Sequence, residues 1–200
     1  MSVMLLLLVS ASCLAAASAQ RISCTMDNKW SATMFDIRAT SQGYGIMADF
    51  YYDFMKGTTA IQYYQSDSQV KARKVVTSYF TKERYNIEAD GTCTKVAITE
   101  KLLPNAVVGE RTELGSSYIG ASLGGLKSDN WFFPLGTQNV TVSFAYPGCV
   151  LTFQGIVDTA KSPPEKTAFY FNKHTAGITD PSAFSVPSSC QLLSQPVGKR

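Results

Sequence analysis

The sequence predicts an all-β protein in which any helix is short. Apolar and polar side chains alternate with a period of two along several short segments, which is the pattern of half-buried antiparallel strands. The chain of 200 residues contains 10 Tyr and 11 Phe, and these residues favour strands over helices. Turn-forming residues separate the segments, and no long stretch has helical periodicity. We therefore expect antiparallel sheet throughout one domain, residues 20–200.

The clearest strand prediction covers Ile46–Phe54. Even-numbered positions from 46 to 54 are apolar, and odd-numbered positions are mixed, so one face is expected to pack and the other to meet solvent. Further strands are predicted at Ala60–Tyr64, Val75–Phe80, Arg84–Ala89, Cys93–Ile98, Val140–Tyr146, Val150–Val157 and Ala168–Phe171.

Turn residues punctuate these strands. Asp90-Gly91 is typical of a two-residue hairpin between neighbouring strands. Lys56-Gly57 and Pro147-Gly148 are expected to turn the chain between two other pairs. Asp180–Phe184 is the best position for a short helical turn.

The first nineteen residues predict a secretory signal sequence. They contain no charged residue, an apolar run from Met4 to Val9, and the small residues Ala17-Ser18-Ala19 before the expected cleavage point. That apolar run is too short to cross a bilayer, and no later stretch approaches about 20 consecutive apolar residues. The mature chain, residues 20–200, is therefore expected to be extracellular and to lack a transmembrane segment.

The net charge excludes two classes of protein. The 18 Lys and Arg residues against 15 Asp and Glu give a formal net charge of +3, dispersed along the chain. A nucleic-acid-binding protein would carry a concentrated basic stripe. A polyanionic mineral-binding protein would be strongly acidic, which this chain is not.

The cysteine count predicts two disulfides. Four of the five cysteines remain after cleavage, because Cys13 lies within the signal sequence. An even number in a secreted chain is typical of a disulfide framework, and four cysteines allow three pairings among which spacing does not choose. A zinc site is not favoured, because the cysteines are far apart in sequence and His174 is the only histidine.

No catalytic constellation is evident, so we predict neither enzymatic activity nor a cofactor. A Ser-His-Asp or Cys-His site would need His174 as its base, and the chain has no Gly-x-Ser-x-Gly elbow. In Gly120–Ser128, Leu126 interrupts the Gly-Lys-Ser core of a phosphate-binding loop, so a glycine-rich loop is expected there. No EF-hand loop is present, and calcium ligands, which can converge from distant segments, stay unassigned.

Asn139-Val140-Thr141 is a sequon for N-glycosylation. Val140, Val142 and Phe144 form the apolar face of a predicted strand. Asn139 is therefore expected on the opposite, solvent-facing side, where a glycan can be attached.

Several motifs, most of them in the C-terminal half, resemble one known family. They are Leu114-Gly115-Ser116-Ser117, Asp129-Asn130-Trp131, Pro147-Gly148-Cys149-Val150, Gly177–Phe184 and Pro187-Ser188-Ser189-Cys190. These segments are similar to motifs of the ependymin family, and the closing motif is the most specific of them. Tyr51-Tyr52-Asp53 and Asp90–Cys93 lie where the family has a tyrosine-rich strand and its second cysteine. The chain is thus identified as an ependymin-related protein, of the type found in invertebrates such as molluscs.

The resemblance implies a secreted, generally glycosylated protein that forms a homodimer. The fold would be two antiparallel sheets curved around an apolar pocket, as in bacterial lipoprotein carriers. The disulfides would be Cys24–Cys149 and Cys93–Cys190. Members of the family are linked to calcium binding, lipid or glycolipid binding and cell–matrix adhesion, in molluscs also to shell matrices, and none has an established catalytic role.

Two functional hypotheses follow. In the first, the pocket binds a lipid or another apolar ligand, and the protein acts in an extracellular matrix. The alternating pattern predicts that the pocket wall consists of Phe50, Tyr52, Phe54, Val142, Phe144 and Phe153. For each of these residues, packing in an ordinary core is the alternative. In the second hypothesis, the protein is a structural or adhesive component of a secreted matrix, such as the organic matrix of a calcified shell, with calcium-dependent cell–matrix contact.

Overall fold

The computed structural model describes residues 24–66, 68–107, 111–120 and 125–192; the predicted signal sequence lies outside them. Two short 3₁₀ segments, Ile37–Gln42 and Pro181–Phe184, are the helical elements within these ranges, so the all-β prediction is confirmed. The strands are β1 Lys29–Asp36, β2 Tyr44–Asp53, β3 Thr58–Gln65, β4 Lys71–Ser78, β5 Glu83–Glu88, β6 Cys93–Ala97, β7 Thr112–Ile119, β8 Leu126–Leu135, β9 Gln138–Ala145, β10 Val150–Asp158, β11 Glu165–Ala176 and β12 Gln191–Leu192.

Every strand predicted from the sequence overlaps an observed strand, from β2 to β6 and from β9 to β11. The predicted turns are also present: Gly57 and Gly91 have positive φ angles of 58° and 84° in the turns that follow β2 and β5. Glycine suits these positions because it lacks the Cβ that makes this conformation unfavourable. The second 3₁₀ segment forms at the predicted helical turn, where the Asp180 side chain accepts a hydrogen bond from the Ser182 N–H group.

The strands form one sheet, in the order β12-β6-β5-β4-β3-β2-β1-β11-β10-β9-β8-β7. Neighbouring strands are antiparallel except for the parallel pair β12–β6. The expectation of two separate sheets is therefore corrected. Strand β1 pairs with β2 on one side and with β11 on the other, which joins the two halves of the molecule into one hydrogen-bonded ladder. The order begins and ends with different strands, so the sheet does not close on itself.

The sheet curves around a main core on its concave face. Trp30, near the start of β1, is fully buried and packs against the rings of Phe50, Tyr52 and Phe171, whose centroids lie 5.1–5.8 Å away. The same cluster contains Phe133 of β8, which is far from β2 in the strand order. Residues from distant strands meet in this cluster only because the sheet bends, and aromatic packing of this kind is among the larger contributions to core stability.

A second, smaller cluster lies on the convex face. Residues 178–190, which we call the C-terminal strap, cover apolar side chains of β2 to β6. Ala183 and Phe184 of the strap pack with Tyr51 and Val76. The Cys93–Cys190 disulfide fastens the end of the strap to β6, with a Cα–Cα distance of 4.6 Å.

The other disulfide joins Cys24 to Cys149, with a Cα–Cα distance of 5.4 Å. It ties the segment before β1 to the turn before β10. Both bonds have the pairing that the family resemblance implies. They link residues 125 and 97 positions apart, and cross-links across such long stretches restrict the unfolded chain strongly.

Candidate functional site

The concave face bounds a cavity of about 600 Å³. This volume lies within the range of small-molecule sites, about 300–1,000 Å³. Strands from both halves of the sheet contribute to its wall. Its apolar floor is continuous with the main core and consists of Trp30, Met34, Phe50, Tyr52, Leu151 and Phe171.

The segment after β6 completes the wall on one side. Residues 97–103 line the cavity, and within them Ile98 and Leu103 are buried. The buried hydroxyl of Tyr52 donates a hydrogen bond of 2.8 Å to the Leu103 carbonyl oxygen. The Ile98 N–H group donates to the Lys82 carbonyl oxygen at 2.9 Å. These bonds hold an irregular segment in place and satisfy polar groups that have lost contact with water.

Three arginines lie on the charged rim of the cavity, which also includes Lys101 and Lys161, and each arginine is paired. Arg84 lies 3.0 Å from a Glu100 carboxylate oxygen, and Arg73 donates to the Asn86 side-chain oxygen at 2.7 Å. Arg38 donates to Glu165 at 2.7 Å and so connects the end of β1 to the start of β11. The rim therefore alternates positive and negative groups rather than presenting one sign of charge.

A buried hydrogen-bonded pair lies at the edge of the floor. The Tyr63 hydroxyl donates to Asp36 Oδ2 at 3.1 Å, and the Arg38 N–H group donates to Asp36 Oδ1 at 3.0 Å. Burial, together with the adjacent Asp36 carboxylate, raises the pKa of Tyr63. Burial likewise raises the pKa of Tyr79, which also lines the cavity. Both hydroxyls therefore stay neutral at physiological pH and serve as hydrogen-bonding groups.

The structure brings together only some of the nominated wall residues. Phe50 and Tyr52 line the cavity. Val142 and Phe144 are also buried in the main core, but they do not line the cavity. Phe54 follows the last residue of β2, and its ring stacks on the Tyr52 ring at 6.4 Å instead of lining the cavity.

Phe153 is on the wrong face for a wall residue, and a β-bulge is the reason. The register of β10 against β9 shifts between Leu151 and Phe153. Leu151 faces the core before the bulge, whereas Gln154 and Ile156 face the cavity after it. An extra residue reverses the side-chain alternation, so Phe153 packs on the outside against the exposed Tyr170, with ring centroids 5.1 Å apart.

Sequence reasoning missed the polar half of the wall. Tyr63, Arg73 and Arg84 line the cavity together with the apolar Ile61 and Val75. The signal was available in β3 and β4, where Thr59, Ile61 and Tyr63, and then Arg73, Val75 and Thr77, alternate toward one face. It was obscured because charged residues at inward positions look like solvent-exposed ones.

His174 lies against Trp30 of the main core. Its ring stacks on Trp30 with centroids 5.1 Å apart, and burial lowers its pKa while Asp27 opposes that shift. In the described part of the chain, no serine or threonine hydroxyl hydrogen-bonds to it. The side chain therefore packs at the edge of the main core.

Three further features of the described chain relate to the sequence predictions. Among the residues that the structure describes, no group of three or more His, Cys, Asp or Glu side chains is arranged to hold a metal ion. Asn139 of the sequon lies near the start of β9 and is partly exposed, while the adjacent Val140 is buried. Within the same residues, no helix has the length and hydrophobicity that a bilayer crossing would require.

Comparison with known proteins assigns the family. The family model described as Ependymin matches residues 67–190, which is more than half of the chain. The chain belongs to the ependymin family. No curated protein matches the chain. An uncharacterized conserved protein from Thermus thermophilus is similar in structure, with a TM-score of 0.49 and 10% identity, over 84% of this chain and 90% of that chain.

Ependymins are in general secreted extracellular glycoproteins, and they are generally non-enzymatic. The matched region runs from the β3–β4 connection to Cys190, so it includes the Cys93–Cys190 disulfide and the whole of the C-terminal strap. It also contains the motifs from Leu114 onward on which the resemblance depended. The family assignment predicted from the sequence is confirmed.

Proposed function

We propose that this ependymin binds an amphipathic lipid on its concave face and works without catalysis as an extracellular lipid-binding protein. The observation that carries the proposal is the cavity of about 600 Å³, which has an apolar floor and a rim with charges of both signs. An apolar floor favours a hydrocarbon chain, because water leaves such a surface readily.

The rim indicates the polar end of the ligand. Arg38, Arg73 and Arg84 are each already paired with a carboxylate or an amide. A strongly anionic headgroup would compete with these carboxylates, whereas a zwitterionic or neutral polar headgroup can share the existing pairs. A ligand that transfers about 300 Å² of apolar surface to the floor gains on the order of 7 kcal/mol before the costs of binding are subtracted.

The site of action that we propose is an extracellular matrix. A signal sequence at residues 1–19, a glycan on Asn139 and a homodimer, all expected from the sequence or the family, fit that setting. Partial exposure of Asn139 beside the turn between β8 and β9 supports attachment of the glycan.

Native mass spectrometry of the secreted, glycosylated protein, before any delipidation, tests the lipid. We expect additional mass that departs as a fatty acid or phospholipid on collisional activation. A protein that is empty as purified and stays empty after incubation with lipids would contradict the proposal.

A matched pair of variants tests the location. Ile61 is partly buried and lines the cavity, whereas Ile46 on the neighbouring strand is 44% exposed. Ile61→Asn places an amide in the cavity wall and should lower the bound lipid severalfold. Ile46→Asn makes the same chemical change outside the cavity and should leave the lipid content unchanged. An equal effect of both variants would contradict the location.

The second candidate is a structural or adhesive role in a secreted matrix, such as the organic matrix of a calcified shell, with calcium-dependent cell–matrix contact. The observation in its favour is β7, one of the two edge strands of the sheet, which exposes the apolar side chains of Leu114 and Tyr118. An exposed edge strand with apolar side chains is suited to pairing with another chain. Removal of the glycan or a Leu114→Lys, Tyr118→Lys variant would then weaken dimerisation or matrix incorporation, while lipid binding would not change.

A further inference from the structure

Two hairpin tips lie side by side at one end of β2 to β5. The turn at residues 54–57 joins β2 to β3, and the turn at residues 79–82 joins β4 to β5. The Tyr79 N–H group donates to the Gly57 carbonyl oxygen at 2.8 Å. The ring of Phe80 lies directly over Gly57, where a Cβ atom would approach a ring carbon to 2.6 Å. Because Gly57 has no Cβ atom, the Phe80 ring can lie against its backbone. The two turns therefore form one surface.

This surface exposes a pair of large apolar side chains. Phe80 is 71% exposed and Met55 is 64% exposed, the highest values among the exposed large hydrophobic side chains of the described residues. A single exposed apolar side chain is ordinary for a soluble protein, but two on adjoining turns call for an explanation. We name Met55, Lys56, Phe80 and Lys82 the hairpin-tip surface.

The charges beside these side chains are positive. Lys56 and Lys82 are exposed, and neither forms an ion pair with another residue in the part of the chain that the structure describes. The nearby carboxylate of Asp53 is buried, lies 3.4 Å from the Lys29 amine and accepts a hydrogen bond from the Lys56 N–H group. Its charge is therefore compensated within the protein. The carboxylate of Glu83, which follows Lys82, is likewise paired with the Lys95 amine at 2.9 Å, so the unpaired exposed charges of the tips are cationic.

We propose that the hairpin-tip surface docks onto an anionic phospholipid bilayer, with Met55 and Phe80 inserted among the headgroups and Lys56 and Lys82 beside the phosphates. Apolar side chains flanked by lysines have the chemistry of an interfacial membrane contact. A protein partner is less suitable, because a stable protein interface buries roughly 800 Å² on each side. Four side chains on two turns present less than that.

The hairpin-tip surface adjoins the cavity, so docking would bring the cavity close to a membrane. Tyr79 precedes Phe80 in the chain and lines the cavity, whereas Phe80 points to solvent. Docking through Phe80 would place this part of the cavity wall next to the membrane surface. The membrane contact itself depends only on the tips, so it stands whether or not the cavity binds a lipid.

Flotation of the protein with vesicles of phosphatidylcholine and phosphatidylserine tests the apolar contact. The Met55→Ser, Phe80→Ser variant should bind about tenfold more weakly, because its inserted apolar area is lost. The control is Met47→Ser, Val70→Ser, which removes two exposed apolar side chains elsewhere: Met47 lies near the start of β2 and Val70 in the β3–β4 connection, both at the opposite end of these strands. Equal binding of both variants would overturn the proposal.

Charge reversal tests the cationic contact. Lys56→Glu, Lys82→Glu should abolish binding to vesicles that contain phosphatidylserine, since each lysine near an anionic surface contributes about fivefold in affinity. Lys166→Glu alters an exposed lysine on β11 and should bind like the unmodified protein. Binding that is insensitive to the tip lysines and to salt would overturn the proposal.

A third variant reports insertion directly and remains informative if the serine variant folds poorly. Phe80→Trp should show quenching of its fluorescence by brominated phospholipids, and Val70→Trp should not. The buried Trp30 and Trp131 form a common background in both variants. Absence of quenching, or a change in dimerisation in place of vesicle binding, would overturn membrane docking. The Ile61→Asn variant should still float with vesicles, which separates a failure of docking from a failure of the cavity to bind lipid.

Discussion

Both faces of β2 carry buried side chains, but different parts of the chain cover them. On the concave face, Phe50 and Tyr52 meet Trp30 of the neighbouring strand and Phe171 beyond it. On the convex face, Tyr51 is also buried, but its cover is Phe184 of the C-terminal strap, with ring centroids 6.4 Å apart. The first core is made by the strands of a curved sheet, and the second by one irregular segment that a disulfide fastens.

This difference teaches where the stability of the fold should be concentrated. Strands on both sides of β1 reinforce the main core, so its parts support one another. The convex cluster has far fewer buried members, and its cover is tied to the sheet by Cys93–Cys190 and by Lys74, which donates to the Ser185 carbonyl oxygen at 2.8 Å. Four changes, taken in order of expected effect, separate the contributions.

Removal of the strap disulfide should have the largest effect. The Cys93→Ser, Cys190→Ser variant frees a loop of 97 residues in the unfolded chain and releases the end of the strap. Chain-entropy arguments give a loss of roughly 4–5 kcal/mol in the free energy of unfolding. Urea unfolding under non-reducing conditions measures it, together with the yield of secreted protein. Unchanged unfolding would show that the strap is held by packing alone.

A truncation in the main core should come next. Phe171 is buried and contacts both Trp30 and Phe50 in an edge-on arrangement. Phe171→Ala is expected to lower the free energy of unfolding by about 3–4 kcal/mol, because the ring's buried contacts with Trp30 and Phe50 are lost and the surrounding strands cannot move in to replace them. Denaturant titration followed by tryptophan fluorescence reports this loss, since Trp30 is adjacent. A loss below about 1 kcal/mol would mean that the core repacks easily.

The matching truncation under the strap should cost less. Phe184→Ala removes a ring that is only partly buried and that contacts Tyr51. The expected loss is about 1–2 kcal/mol, in proportion to the smaller apolar area withdrawn from water. Hydrogen exchange should also show faster opening of residues 178–190 while β1 stays protected. If Phe184→Ala were as damaging as Phe171→Ala, the strap would be an integral part of the fold and not a separate cover.

Acidification should have the smallest effect and should act on the concave side first. Burial against Trp30 lowers the pKa of His174 below its ordinary value of 6.5, and Asp27 opposes this shift. As the pH falls, His174 therefore binds a proton at a higher pH in the unfolded chain than in the folded protein. Stability should therefore be complete above the ordinary pKa and fall as the pH decreases below it toward the folded pKa. Melting temperatures between about pH 5 and about pH 8 measure the change.

His174→Phe provides the control for this titration, because it keeps a stacked ring without an ionisable nitrogen. Its melting temperature should vary less over the same range. The C-terminal strap should respond at a lower pH. Hydrogen bonds from Ser182 lower the pKa of Asp180 below its ordinary value of 3.8. These bonds therefore stabilise the folded protein above that pH, and their stabilisation is lost as the pH falls through the pKa of folded Asp180. A steeper decrease for His174→Phe than for the unmodified protein would contradict the assigned direction.

The regular parts of the fold could be predicted because their signals are local. Alternation in β2 indicated that Phe50 and Tyr52 share a face, and Asp90-Gly91 indicated the β5–β6 hairpin. Strand β7 escaped prediction for an equally local reason. Its register against β8 shifts between Glu113 and Gly115, and Gly115 has a φ of 95°, so no regular alternation exists to detect.

Strand β8 was hidden by its proline. Pro134 argues against an interior strand, because proline has no N–H group to donate. The described register of β7 on β8 begins with Thr112 opposite Phe132, and among the described residues Pro134 pairs with Asn139 of β9. Which part of a strand is an edge depends on the length of its partner, and no single segment carries that information.

The sequence by itself determined the all-β class, most strand positions, the main turns and, through the family resemblance, the disulfide pairing. These features follow from backbone geometry and from turn residues within a few positions of one another. Only the tertiary structure decided that the sheet is continuous, that a bulge turns Phe153 outward and that three paired arginines rim the cavity. Alternation gives every strand two faces. What covers each face is settled by contacts between residues far apart in the chain, which form only when the sheet bends and the disulfides close.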